Sequence, residues 1–193
     1  MAYIKTIPEA ESQGKLHDLF EGDRKTFGYV PNHLQLFSER PEVNEAWRAL
    51  QTTIRKNMRL RTYELVTMAA AKALHCRYCL LAHGAVLLKN GFTVDQLRAM
   101  LTDFGSAGLE PSEVAMMEFA FKVASDAYQM TQADTDALRA HGFSDAEILD
   151  ITLSATARSF FSQTLEALGA QPDAAYDQLA AQLGDLLPEM PQS

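Results

Sequence analysis

Apolar residues recur along this chain at spacings of three and four, with no convincing run of strand-like alternation, so the sequence predicts an all-α fold. From Pro8 to about Phe20, Leu16, Leu19 and Phe20 form one apolar side, and Gly22 and Gly28 then flank a loop leading into Tyr29-Val30-Pro31-Asn32. A short helix to Ser38 follows, and Pro41 opens a longer one carrying Val43, Trp47, Leu50 and Ile54. The stretch from Arg61 to Leu74 is apolar nearly all round, the pattern of a helix buried on every side. The next helix stops at Asn90-Gly91, where glycine suits a left-handed C-terminal position. Three later segments open with capping-box spacing: Thr93 with Gln96, Thr131 with Asp134 (a weaker variant) and Ser144 with Glu147. Between them Pro111 introduces a helix with Val114, Met117, Phe121, Ala124 and Tyr128 on one side. Ser144 to Leu168 is a long helix stopped by Gly169, and a last helix spans Asp173–Leu183. Gly91-Phe92-Thr93 and Gly142-Phe143-Ser144 echo one another, a hint of a duplicated helical hairpin.

At 193 residues, 47% of them hydrophobic, the chain fits a single domain with an ample core. Within 1–193, residues 1–40 read as an N-terminal extension, 41–105 as a motif-bearing core, 106–187 as C-terminal helices and 188–193 as a frayed tail. A formal charge of −8 and a pI near 5.1 argue against nucleic acid as a partner. No apolar run is long enough to span a membrane, and the segment M-A-Y-I-K-T-I-P-E-A lacks a signal-peptide core, so a cytoplasmic location is expected. Arg55, Lys56, Arg59 and Arg61 cluster at a helix end, where cations complement the helix dipole; docking of an acidic partner is the alternative. The helices after Pro41, Arg61 and Ser144 offer more apolar surface than one small bundle accommodates, which predicts a homo-oligomer. Arg158, alone among Ala, Ser, Thr and Phe, reads as a snorkelling side chain or as the partner of a buried acid, the first preferred.

The chemistry concentrates in Glu64–His83, which holds both cysteines, Cys76 and Cys79, as C-x-x-C with His83 four residues on. On a helix beginning near Arg77, Cys79 falls in the first turn and His83 one turn later on the same face. Free backbone N–H groups and the positive end of the dipole favour a thiolate there. The imidazole is placed to take the thiol proton, and Cys76 is close enough to close a disulfide. The stretch reads as a redox dithiol with its own base. Small buried core cysteines are the plain alternative. Zinc is another, with Cys76, Cys79, His83 and Glu64 as ligands, but no second Cys or His pair completes the usual two-knuckle site, so no metal is expected.

Glu64 either stabilises the first turn of its helix or orients His83 and relays its protons. A plain antiparallel hairpin turning near His75 sets Met68 opposite His83 and leaves Glu64 about 5 Å too deep, so the pairing requires a longer junction or a tilted crossing. Tyr78, between the thiols, is a candidate to bind substrate or to shield them. His75 either raises the local positive potential or simply ends a helix; His17, His33 and His141 are assigned no role.

Glu64, eleven residues, then Cys76-x-x-Cys79-x-x-x-His83 resembles the signature of the AhpD-like alkylhydroperoxidases, within the carboxymuconolactone decarboxylase superfamily. G-Y-V-P-N-H at 28–33, R-P-E-V at 40–43 and L-R-T-Y-E-L-V at 60–66 look like its longer, peroxidase-related branch, with the likeness strongest over 28–103. The resemblance implies an all-helical AhpD-like bundle assembling as trimers or hexamers, and a dithiol peroxidase without a bound cofactor. By the same resemblance Cys79 is the peroxidatic thiol, Cys76 the resolving one, and His83 with Glu64 the proton relay. One departure is Tyr78, where AhpD itself often has histidine. The redox-active Cys76–Cys79 disulfide would be re-reduced by an external dithiol, a lipoyl group or a thioredoxin-like protein. Two other classes stand beside this one: a disulfide reductase or redox sensor acting on protein partners, and a non-redox lactone-acid decarboxylase, which has no use for a second thiol.

Overall fold

The computed structural model describes residues 2–189, so most of the tail expected to be frayed, 190–193, lies outside the described residues. The architecture is all-α, with no strand among the described residues. The described residues form ten α-helices in order: α1 Gly14–Phe27, α2 Asn32–Leu36, α3 Pro41–Arg55, α4 Leu60–Ala73, α5 Arg77–Lys89, α6 Val94–Thr102, α7 Pro111–Asp126, α8 Gln132–Ala140, α9 Asp145–Ala167 and α10 Asp177–Leu183. Single 3-10 turns link several of them.

α4 is the axis. Every residue from Tyr63 to Ala71 is buried, because α5, α7 and α9 pack around it. Leu65, Val66 and Met68 supply the bulk, each stabilising by roughly 1.5–3 kcal/mol. Ala69, Ala70 and Ala71 supply the close approach that three neighbouring helices require. α3 lies against α9, and α1 against α3. Leu16, Phe20, Val30 and Leu34 form a smaller core under α1 and α2, clamped to α3 by a two-pronged ion pair between Arg48 and Asp23, 2.6 Å at each contact.

All three capping boxes form as the sequence spacing predicts. The two Gly-Phe junctions also share one geometry. Gly91 and Gly142 take φ of 90° and 89°, and the following Phe N–H donates to the carbonyl of Leu87 or Leu138 at 3.2 Å. Each is the 6→1 bond of a left-handed helix stop.

Elsewhere the structure corrects local expectations. The first helix is Gly14–Phe27 and not Pro8–Phe20, and Gly22 sits inside it. Glycine in a helix costs about 1 kcal/mol, but continuing the helix carries Asp23 to Arg48. Gly28, at φ 83°, is the true stop. On α3, Trp47 and Ile54 turn inward whereas Val43 and Leu50 are exposed. Tyr128 leaves the α7 stripe on a 3-10 turn and is 85% exposed. The last helix begins at Asp177, because the Asp173 carboxylate is drawn back to accept bonds from α2 and α5. In the basic cluster, Arg61 binds Glu113 and Arg55 lies over the Tyr63 ring. No described helix is long and apolar enough to cross a membrane.

Candidate active site

The turn between α4 and α5 sets the site. Leu74, His75 and Cys76 are the whole junction, and His75 takes φ 52°, the left-handed conformation usually left to glycine. His75 N–H donates to Lys72 O at 3.1 Å and Cys76 N–H to Ala71 O at 3.0 Å, the paired bonds of a Schellman stop. Cys76 thereby becomes the N-cap residue of α5, and Cys79 the third residue of its first turn. Both thiols are free and buried, Cys79 only 1% exposed.

The structure brings Glu64 to His83, with the carboxylate Oε2 2.7 Å from Nδ1. The ring lies over the 64–67 turn of α4, since Thr67 Oγ1 is also 3.3 Å from Nδ1. The flush hairpin that would set Met68 there is not the one formed. The tautomer follows from the neighbours. Thr67 hydroxyl donates to the Tyr63 and Glu64 carbonyls, so both groups around Nδ1 are acceptors and Nδ1 carries the proton. Nε2 is the nitrogen left for proton transfer.

Three side chains meet the Cys79 sulfur. Ser162 hydroxyl donates to it at 3.2 Å, Arg158 Nη1 lies 3.9 Å away, and the Cys76 thiol hydrogen-bonds to it. Arg158 is thus deeply buried and does not snorkel, and it pairs with no acid among the described residues. Its guanidinium also donates to Tyr63 hydroxyl at 3.3 Å and faces the Trp47 and Phe161 rings. The Cys76 hydrogen bond, then the Arg158 and His83 charges and the Ser162 bond, pull the Cys79 thiol below its ordinary value against the opposing effect of burial. Donating that bond, together with burial, pushes the Cys76 thiol up. The two thiols are thereby differentiated, one prepared to ionise and the other to hold its proton. The half-buried Glu166 carboxylate reaches Cys76 from α9, and burial raises its own pKa.

Tyr78 lines the same cavity, but its hydroxyl is occupied. It donates to Asp173 in a short hydrogen bond and receives one from His33 Nδ1 at 3.0 Å. Asp173 also accepts from Asn32 N–H at 2.7 Å, so Tyr78 ties α5, α2 and the 171–176 segment together. His33, to which the sequence assigned nothing, is held neutral, its pKa lowered to about 4 by burial and by the Arg48 charge.

Cys79, His83, Glu64 and Tyr78 open on one cavity of about 330 Å³, walled by Trp47, Phe161 and Tyr63. Among the described residues no three His, Cys, Asp or Glu side chains converge to hold a metal ion. Sequence reasoning missed Ser162 and the inward turn of Arg158. Their i,i+4 spacing on α9 was the available signal, because it aims two polar groups at one point.

The buried C-x-x-C at the N-terminus of α5 and the His83–Glu64 pair lie in an all-α fold like that of AhpD-like solved structures. Residues 41–122 match the model of the carboxymuconolactone decarboxylase family, and the fold of the described residues is AhpD-like. The solved structure of an alkylhydroperoxidase AhpD core, an uncharacterized peroxidase-related protein from Ralstonia eutropha JMP134, is 23% identical. It covers 97% of this chain and 98% of its own, with a TM-score of 0.81. An uncharacterized peroxidase-related protein from Silicibacter sp. TM1040 is 24% identical over 91% of this chain and 93% of its own, with a TM-score of 0.80. The debrominase Bmp8, in complex with 2,3,4-tribromopyrrole, is 17% identical over 93% and 96%, with a TM-score of 0.74. At these identities the likeness is one of fold. No curated protein matches the sequence.

Proposed function

We propose that the chain is a dithiol hydroperoxidase with an antioxidant role, reducing a small organic hydroperoxide through a Cys76/Cys79 dithiol–disulfide cycle. The observation that carries this reading is the setting of Cys79, a buried thiol with a guanidinium, a hydroxyl and a second thiol all directed at its sulfur. His83 Nε2 takes the Cys79 thiol proton, the resulting thiolate attacks the distal peroxide oxygen, and the O–O bond breaks. The departing alkoxide takes a proton from His83 Nε2 and leaves as an alcohol, and Cys79 becomes a sulfenic acid. Glu64, fixed on Nδ1, holds the ring and stabilises its protonated form. Cys76 then attacks the sulfenic sulfur, its proton leaving with the hydroxyl as water, and the disulfide closes. An external dithiol restores both thiols by exchange.

Burial bears on the partner. A thiol 1% exposed at a cavity floor suits a slender dithiol, such as a lipoyl arm, better than the flat active-site surface of a thioredoxin-like protein. The same burial disfavours a reductase acting on protein disulfides, and the two differentiated thiols disfavour a non-redox decarboxylase. We place the protein in the cytoplasm, as a trimer or hexamer. Leu149, Leu153 and Phe160 form an exposed apolar stripe on α9 that supports assembly.

The aromatic walls favour a second reading, in which the same dithiol removes bromide from a compact ring, as the name of the debrominase suggests. One carbon–bromine bond becomes carbon–hydrogen, the dithiol supplies two electrons and closes to the disulfide, and bromide and a proton leave. Stopped-flow reaction of the reduced protein with cumene hydroperoxide, with thiols counted before and after, tests the first reading. Two thiols lost per peroxide, no reaction in Cys79→Ser, and a trappable sulfenic acid in Cys76→Ser are expected. Survival of both thiols in excess peroxide overturns it, and bromide release from 2,3,4-tribromopyrrole under the same conditions installs the second.

A further inference from the structure

The cavity that holds Cys79 has an unusual balance of charge. Three guanidinium groups, Arg48, Arg55 and Arg158, stand in its described wall; Arg48 is matched by Asp23 behind it and Glu64 is paired with His83, which leaves Arg55 and Arg158 without a carboxylate partner among the described residues. This is a cationic pocket in a chain of net charge −8.

Two of its donors also lack partners. Asn44 Nδ2 and Arg158 Nε are buried side-chain nitrogens with no hydrogen-bond partner among the described residues, and both residues line this cavity. The amide is not simply reversed. Asn44 Oδ1 accepts from Arg48 Nε at 2.7 Å, and Arg48 is locked in turn by Asp23, so Nδ2 has to be the free end. Leaving a buried donor unpaired is costly, and two in one wall represent a cost that a bound acceptor would recover. The two residues flank Trp47: Asn44 is three positions before it on α3, and the Arg158 guanidinium lies 5.6 Å from its ring centroid. The remaining wall is aromatic or aliphatic, with Phe161 stacked on Trp47 at 5.0 Å and Ala82 and Val86 beside the mouth.

From this we propose that the cavity recognises a carboxylate. Its substrate is a compact organic hydroperoxide bearing a carboxylate group, with the apolar body against the aromatic wall and the carboxylate oxygens accepting from Asn44 Nδ2 and Arg158 Nε. The peroxide in this statement rests on the function proposed above; the anion site does not.

Two matched pairs of compounds separate the claims. Isothermal titration of the reduced protein compares 4-isopropylbenzoate with its uncharged isostere 4-isopropylbenzamide. The carboxylate is expected to bind at least about ten-fold more tightly, the discrimination typical of a buried polar site. In Asn44→Asp the contact to Arg48 survives while the free donor becomes an acceptor, and the preference should vanish. Equal affinities in the unaltered protein overturn the proposal even if the variant fails to fold, and so does an undiminished preference in a folded Asn44→Asp. The second pair, cumene hydroperoxide and its para-carboxylate, reads the chemistry. Selective carboxylate binding without consumption of either peroxide leaves the anion site standing and removes the peroxidase. Consumption of both at equal kcat/KM, with no preference in binding, removes the anion site alone.

Discussion

The Arg158 guanidinium lies 3.9 Å from Cys79 Sγ and pairs with no carboxylate among the described residues. A buried cation without a counter-ion is costly, and the one anion within its reach among the described residues is the thiolate that Cys79 forms on ionising. The two groups are therefore half-sites of one latent ion pair, completed by loss of a proton.

Replacing Arg158 with Met should move the Cys79 titration up by more than about one pH unit, since one unit corresponds to about 1.4 kcal/mol of interaction and a buried pair exceeds that. Thiolate absorbance at 240 nm reads the midpoint, with Cys76→Ser as the background to leave a single thiol. Arg158→Lys should recover part of the shift. A midpoint unmoved in Arg158→Met would detach the guanidinium from the thiol.

The lowered Cys79 value also fixes a pH profile. Because the thiolate is already formed below the ordinary cysteine value of 9.0, the rate constant for peroxide should show no rise centred on that value. On the acid side it should fall as pH drops through the lowered Cys79 value. Stopped-flow rates across a buffer series check this, and a rise centred near 9.0 would indicate an ordinary thiol.

Much of this was legible in the sequence because it is local. Helix stops at Gly91 and Gly142, the three capping boxes and the first-turn placement of Cys79 depend on residues within one or two turns of each other. Gly22 misled because its helical cost is outweighed by a bond from Asp23 to a residue 25 positions away. Arg158 and Ser162 reach Cys79 across separations of 79 and 83 residues, and His33 reaches Tyr78 across 45. No periodicity encodes such meetings; they follow from how α2, α5 and α9 pack.

Glu64 and His83 are expected to act as one unit. His83→Asn should slow sulfenic acid formation by roughly 10²–10⁴-fold, the usual range for a positioned acid–base group. Glu64→Gln should be slower than the unaltered protein, and the double variant no slower than His83→Asn alone, because Glu64 works through the ring. Multiplicative losses in the double variant would give Glu64 a separate role.

The junction that aligns the thiols rests on His75 in the left-handed region. A β-branched residue fits that conformation poorly, so His75→Val should destabilise by about 1–3 kcal/mol, whereas His75→Gly should be neutral or slightly stabilising. Urea unfolding of the reduced proteins separates the two. Equal destabilisation would mean that the imidazole, and not the backbone, matters at this turn.

Tyr78 offers the sharpest separation of a structural from a substrate-binding residue. Its hydroxyl is bound between Asp173 and His33, so Tyr78→Phe strands a buried carboxylate and an imidazole N–H. Stability should fall by about 1–3 kcal/mol, and the loss should ease at low pH. The sign follows from Asp173. Burial raises its folded pKa despite the Tyr78 bond, and removing that bond raises it further. A carboxyl whose folded value is raised destabilises the fold above its unfolded value, and that penalty disappears as it protonates. KM for a neutral peroxide should stay as it was, since the hydroxyl has no free donor to offer. A raised KM with unchanged stability would instead make Tyr78 a substrate contact, and would require the Asp173 bond to open when substrate enters.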